Sequence, residues 1–171
     1  MKKIIMPGML IFILCALPAG ASNVTFLVME TGLRQGSPSA QNHAVWENGL
    51  FDVFFETGHI VSNAHYLRIY EKPGDSLPYD AERDYIDARE GGMDYFVVAI
   101  INYTTQKGME IPKPQNVSLR LFSTKSEQML YEQTYTYTTT KNEREEYDSI
   151  RDAIRDFAAN LIDDPVVIFR R

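Results

Sequence analysis

The run Asp94 to Asn102 (DYFVVAIIN) constrains the fold more than any other stretch of the chain. Its core is apolar at consecutive positions rather than alternate ones, so neither face of the strand it predicts can meet water. A strand buried on both faces belongs in the middle of a sheet covered by helices. The rest of the chain is expected to supply that cover.

Candidate helices and strands flank it in the right order. Val24 to Glu30 (VTFLVME) ends near Gly32 and reads as a first buried strand. Ser37-Pro38 then predicts an N-cap followed by proline in the first helical turn. Trp46, Leu50, Val53 and Phe54 share a helical face, and Gly58 stops a helix of about five turns. His59 to Ser62 is a short second strand returning beside the first. Asn63 to Tyr79, with Pro73-Gly74 and Pro78, is an irregular excursion in which Tyr66 to Tyr70 is at most a marginal strand. Asp80 to Glu90 carries acids in its first turn and Gly91-Gly92 at its end, as a charged helix would.

After the central strand, Asn116 to Ser123 alternates Val117, Leu119 and Leu121 inward against Ser118 and Arg120 outward. Lys125 to Gln128 is a polar turn, and Met129 to Thr140 extends the meander. Glu143 to Leu161 closes the chain as a helix with Tyr147, Ile150, Ile154, Phe157, Ala158 and Leu161 on one face. The expected fold is α/β (α+β), one domain. It has a mixed sheet of about five strands, including an antiparallel three-strand meander, and about three helices.

Before that domain, Lys2 and Lys3 precede an apolar run from Ile4 to Leu17, and Ala19-Gly20-Ala21 has the small-x-small spacing of a signal-peptidase site. The run is shorter than the roughly 20 residues of a spanning helix. Cys15 follows Leu14 where a lipobox needs a small residue, so cleavage is expected rather than acylation. Residues 1–21 are read as a signal peptide and 22–171 as the single domain, with the bacterial periplasm as its compartment.

Cleavage removes the lone cysteine and takes the net charge from -6 to -8, because Lys2 and Lys3 leave with the leader. An acidic, thiol-free chain suits an oxidising compartment and does not suit phosphate backbones, so nucleic acid is not an expected partner. No disulfide framework and no thiolate metal site can form.

Gly32, Arg34, Gly36 and Ser37 lie in a strand-to-helix loop where backbone N–H groups could hold a small anion, but the loop lacks the Lys-Ser/Thr ending of a P-loop. An ordinary strand-to-helix connection is the plainer reading, and the loop is not read as a nucleotide site. His43, His59 and His65 are spaced so that no two share a helical face, and no metal or cofactor is expected. Asp80, Glu82 and Asp84 begin like a calcium loop, but Tyr85 stands where glycine is required. No catalytic motif is present, and a carboxylate-based hydrolase stays open only as an alternative. Tyr131 to Thr140 (YEQTYTYTTT) alternates tyrosine with threonine. That composition predicts an edge strand that could accept a partner strand, or one whose Tyr131, Tyr135 and Tyr137 anchor an interface. A plain solvated strand with cross-strand threonine pairs is the other reading.

Three stretches carry a resemblance: Glu47 to Asn63, a helix, glycine and short strand; Ala88 to Asn102, alanine, glycines, acid and apolar strand; and Asn116 to Thr134, an antiparallel hairpin. In these the chain resembles the small periplasmic α/β domain shared by the N-terminal domain of TolB, the penicillin-binding-protein activator LpoB and the curli secretion protein CsgG. That resemblance implies a non-enzymatic envelope domain that binds another protein or assembly, and it transfers no functional residue. A small-anion or ligand-binding protein using the Gly32 to Ser37 loop is the alternative.

Overall fold

A computed structural model describes residues 21–33, 42–70, 77–104, 113–137 and 142–162. Its elements are β1 (Asn23–Thr31), α1 (Asn42–Glu56), β2 (Ile60–Asn63), β3 (Leu67–Ile69), α2 (Tyr79–Glu90), β4 (Tyr95–Thr104), β5 (Lys113–Ser123), β6 (Gln128–Thr136) and α3 (Glu143–Ile162). The strands form one mixed sheet in the order β2-β1-β4-β5-β6, with β3 also paired to β1. β2, β3 and β4 run parallel to β1, whereas β5 and β6 are antiparallel additions. The apolar run of β4 occupies the middle of the order, as its composition requires. The sixth strand is the marginal Tyr66 to Tyr70 segment, which continues the edge that β2 begins.

Two cores lie on opposite faces of the sheet. Val24, Phe26 and Val28 of β1, Val97, Ala99 and Ile101 of β4, and Val117, Leu119 and Leu121 of β5 face α1 and α3. Leu27 and Met29, with Phe96, Val98 and Ile100, face α2 through Ala81 and Ala88. The two-residue period thus gives β1 and β4 one full core on each side. Sequence places the inward residues of β5 correctly, and its outward Arg120 pairs at 2.8 Å with Glu132 across the hairpin.

Helix ends follow local chemistry. α1 stops at Gly58 (φ 89°) and α2 at Gly91-Gly92, where Gly92 takes φ 77°. α3 starts on a reciprocal cap, in which the Glu145 N–H donates to Asn142 Oδ1 at 2.9 Å and Asn142 Nδ2 donates to Glu145 Oε1 at 3.0 Å. The described part of α1 begins at Asn42, so the expected Ser37-Pro38 start lies outside the described residues. Gly32 (φ 77°) ends β1 so close to β4 that a Cβ there would stand 2.3 Å from the Tyr103 carbonyl oxygen. Only glycine satisfies both the left-handed backbone and that approach.

Candidate functional site

At the carboxyl end of β1, where α1 and α2 depart to opposite faces, open α/β sheets commonly hold their ligands. The group standing there is Glu30, a carboxylate with no exposed surface. Tyr103 of β4 donates its hydroxyl to Oε1 at 2.8 Å; the Tyr66 hydroxyl and, at 3.1 Å, Arg68 Nη2 donate to Oε2. His43 at the start of α1 stacks on Tyr66 with ring centroids 4.1 Å apart and brings Nδ1 within 3.8 Å of Oε1. Burial, then the hydrogen bond to Glu30, pushes the Tyr66 hydroxyl up to about 12 and shifts Tyr103 in the same direction.

Register explains why these groups converge. Glu30 is paired with Arg68 on one side and Ile101 on the other, so its neighbours come from both flanking strands. Chemically the arrangement is closed: three donors occupy the carboxylate, and it has no water-facing side from which to act as a base on an incoming substrate. Its work is to tie β3, α1 and β4 to the end of β1. Among the described residues no three His, Cys, Asp or Glu side chains gather as a metal site. His59 and His43 serve separate places, since His59 Nδ1 accepts from the Ser22 N–H at 3.4 Å.

Of the loop read as an anion site, Gly32 is the β4-hugging glycine described above, and Arg34, Gly36 and Ser37 lie outside the described residues. Tyr131, Tyr135 and Tyr137 do come together, on the face of β6 that looks at α3. Tyr131 packs on Phe157 with centroids 5.6 Å apart, Tyr135 donates to Asp156 at 3.3 Å, and the Tyr137 hydroxyl donates to Glu146. Their rings are half-buried extensions of the core. On the opposite face the Ser118 and Thr134 hydroxyls bond across the hairpin at 2.9 Å, the cross-strand pairing expected of such a strand.

β6 ends the sheet. The Tyr137 N–H donates to the Gln115 carbonyl at 2.9 Å, and the register runs without a shift from Tyr131 to Thr136. Odd-numbered residues of β6 therefore turn their N–H and C=O groups toward β5, and Glu132, Thr134 and Thr136 turn theirs outward. Among the described residues nothing pairs with that row. A second exposed feature is the stacked pair Phe51 and Phe55, 45% and 66% exposed, on the flank of α1 that does not face α3. Sequence reasoning missed it because it counted only the core face of that helix.

A mixed sheet with α1 and α3 on one face and α2 on the other, closed at its polar centre and, among the described residues, ending at β6, defines the class of domain. No protein-family model and no curated protein matches the chain. Among solved structures it is similar to the PelC dodecamer from Paraburkholderia phytofirmans (14% identity, 81% of this chain and 89% of that chain, TM-score 0.47). It is similar also to the LpoB C-terminal domain from Escherichia coli (13%, 70% and 84%, TM-score 0.42). A third is TolB from Acinetobacter baumannii (14%, 84% of this chain but 30% of that one, TM-score 0.41). LpoB and TolB are two of the proteins that the three sequence stretches resemble. No helix among the described residues is long and apolar enough to cross a membrane.

Proposed function

We propose that this is an exported, non-enzymatic protein of the bacterial cell envelope, with residues 1–21 as its leader. Its mature domain acts by adding an extended segment of a partner envelope protein to the edge of β6. The single observation that carries the reading is the outward row at Glu132, Thr134 and Thr136 on a nine-residue strand, which nothing among the described residues pairs with. Edge strands of that length are ordinarily shortened, bulged or blocked by proline, because an open row of donors and acceptors pairs with other chains. From Tyr131 to Thr136 this one carries none of those devices; its register shift lies nearer the turn, opposite Leu121/Phe122.

Tyr131, Tyr135 and Tyr137 enter this reading as the side chains that brace β6 against α3, so that a docking segment meets a strand already in place. The leader and the likeness of three stretches to the TolB, LpoB and CsgG domain point to the same compartment. Site-specific photocrosslinking in cells tests it, with the reactive group at Thr136 and, as a control, at the exposed Asp148 of α3. A discrete envelope-protein adduct at Thr136 and none at Asp148 is expected. The same adducts at both positions, or a chain that stays in the cytoplasm, would contradict it.

A further inference from the structure

The bond at which the leader would be cut, Ala21–Ser22, lies where the chain enters the sheet. Ala21 is exposed, whereas Ser22 is only 7% exposed. Beyond the bond, successive backbone groups are all engaged. The Ser22 N–H donates to His59 Nδ1 at 3.4 Å, and the Ser22 carbonyl accepts from the Ile60 N–H at 3.0 Å. The Asn23 N–H donates to Asp94 Oδ2 at 3.0 Å, and the Asn23 carbonyl accepts from the Asp94 N–H at 2.8 Å. Both residues are thus clamped between the starts of β2 and β4, with Asp94 itself paired to Lys125.

We infer that the leader is removed only while β1 is outside the sheet, and that the amino group so freed is then held at His59. This rests on the reading of residues 1–21 as a leader, and not on the β6 edge. Signal peptidase hydrolyses the bond between the Ala21 carbonyl carbon and the Ser22 nitrogen with one water, leaving a carboxylate on Ala21 and an ammonium on Ser22. A protease takes its substrate extended and needs the backbone on both sides of the bond. In the folded chain the groups on the Ser22 side are already bonded within the sheet. Cutting therefore requires an opened form, whose population falls as folding proceeds. His59 suits the second role, because burial lowers its pKa and keeps Nδ1 an acceptor at neutral pH. Cleavage turns the Ser22 amide into a charged donor at the same place, which strengthens that bond. Adjacent backbone nitrogens are at most about 3.7 Å apart, so the new charge also falls within roughly 7 Å of the Asp94 carboxylate.

Full-length precursor unfolded in urea is diluted into detergent-solubilised signal peptidase, either at once or after refolding followed by circular dichroism. Mass spectrometry is expected to show chains beginning at Ser22 after immediate mixing, and about tenfold fewer or less after refolding. Equal cleavage in both arms would overturn the inference and leave the leader reading intact, whereas no cleavage at this bond in either arm would overturn both. Periodate then probes the mature chain, because it oxidises a serine only where a free amine adjoins the hydroxyl. Oxidation of Ser22 is expected to be slower by about tenfold or more in the folded chain than in urea. His59→Phe keeps a ring beside Phe54 but removes the acceptor, and should speed the reaction in a chain with an unchanged circular dichroism spectrum; His59→Gln, which retains an acceptor, should speed it less. Equal rates in the folded and unfolded chains, or equal rates in the two variants, would overturn the placement of the terminus at His59.

Discussion

Glu30 shows how much one residue can settle. Its carboxylate is fully buried and accepts from Tyr66, Tyr103 and Arg68, so Glu30→Gln takes a buried negative charge away from the Arg68 guanidinium. Glu30→Gln is expected to destabilise the domain by about 3 kcal/mol in urea unfolding, the lower end for breaking a buried pair, because Arg68 can still reach water. The alkaline limb follows from Tyr66. A phenol whose folded value lies above its unfolded one contributes full stability below about pH 10 and loses it as pH rises toward 12. Tyr66 should contribute roughly 1–2 kcal/mol to the fall of thermal melts across that window, discounted because part of the ring meets solvent, and Tyr66→Phe should lessen the fall without abolishing it, because Tyr103 and Tyr135 are shifted the same way. The strand bearing Glu30 was legible in sequence, but its burial was not. Tyr66, Arg68 and Tyr103 stand far from it in the chain, and only the parallel pairing of β3 and β4 to β1 brings them to it.

Elements whose pattern was dictated by burial could be read from the sequence; those dictated by a neighbour could not. β4 reads as central because its apolar run leaves no face for water, and α3 reads correctly because Ile150, Ile154, Phe157, Ala158 and Leu161 keep helical spacing. β6 was recognisable as a strand, yet a two-residue period cannot say which face meets a helix, and the tyrosines turned out to be the ones facing α3. The α1–α3 contact was invisible because glycine carries no hydropathy signal. Gly49 lets the helices close: a Cβ there would lie 3.0 Å from both Ile150 Cγ2 and Ile154 Cδ1. Gly49→Ala gains about 1 kcal/mol of helix propensity against that crowding and should change stability by less than about 1 kcal/mol. Gly49→Val adds two methyl groups to the same gap and should cost about 2–3 kcal/mol in denaturant unfolding. Equal tolerance of the two would mean the helices do not approach as closely as described.

The whole molecule is asymmetric in a way that bears on its use. α1 and α3 cover one face of the sheet, whereas α2 serves the core centred on β1 and β4, leaving Ser118, Glu132, Thr134 and Thr136 of the hairpin on a polar face. An antiparallel pair tolerates water on one side, so this half of the sheet can afford an open rim. If the rim at β6 is the docking edge proposed above, a backbone change there acts on docking without touching the core. Proline removes an N–H: at Thr134 the lost donor points outward, and at Gln133 it belongs to the ladder with β5. Thr134→Pro should therefore keep the circular dichroism spectrum and most of the thermal stability, while Gln133→Pro should lower the melting temperature substantially. The decisive measurement is the Thr136 photocrosslink in the Thr134→Pro chain. Loss of the partner adduct from a folded, exported protein is the expected result, and an adduct of undiminished yield would contradict the docking edge.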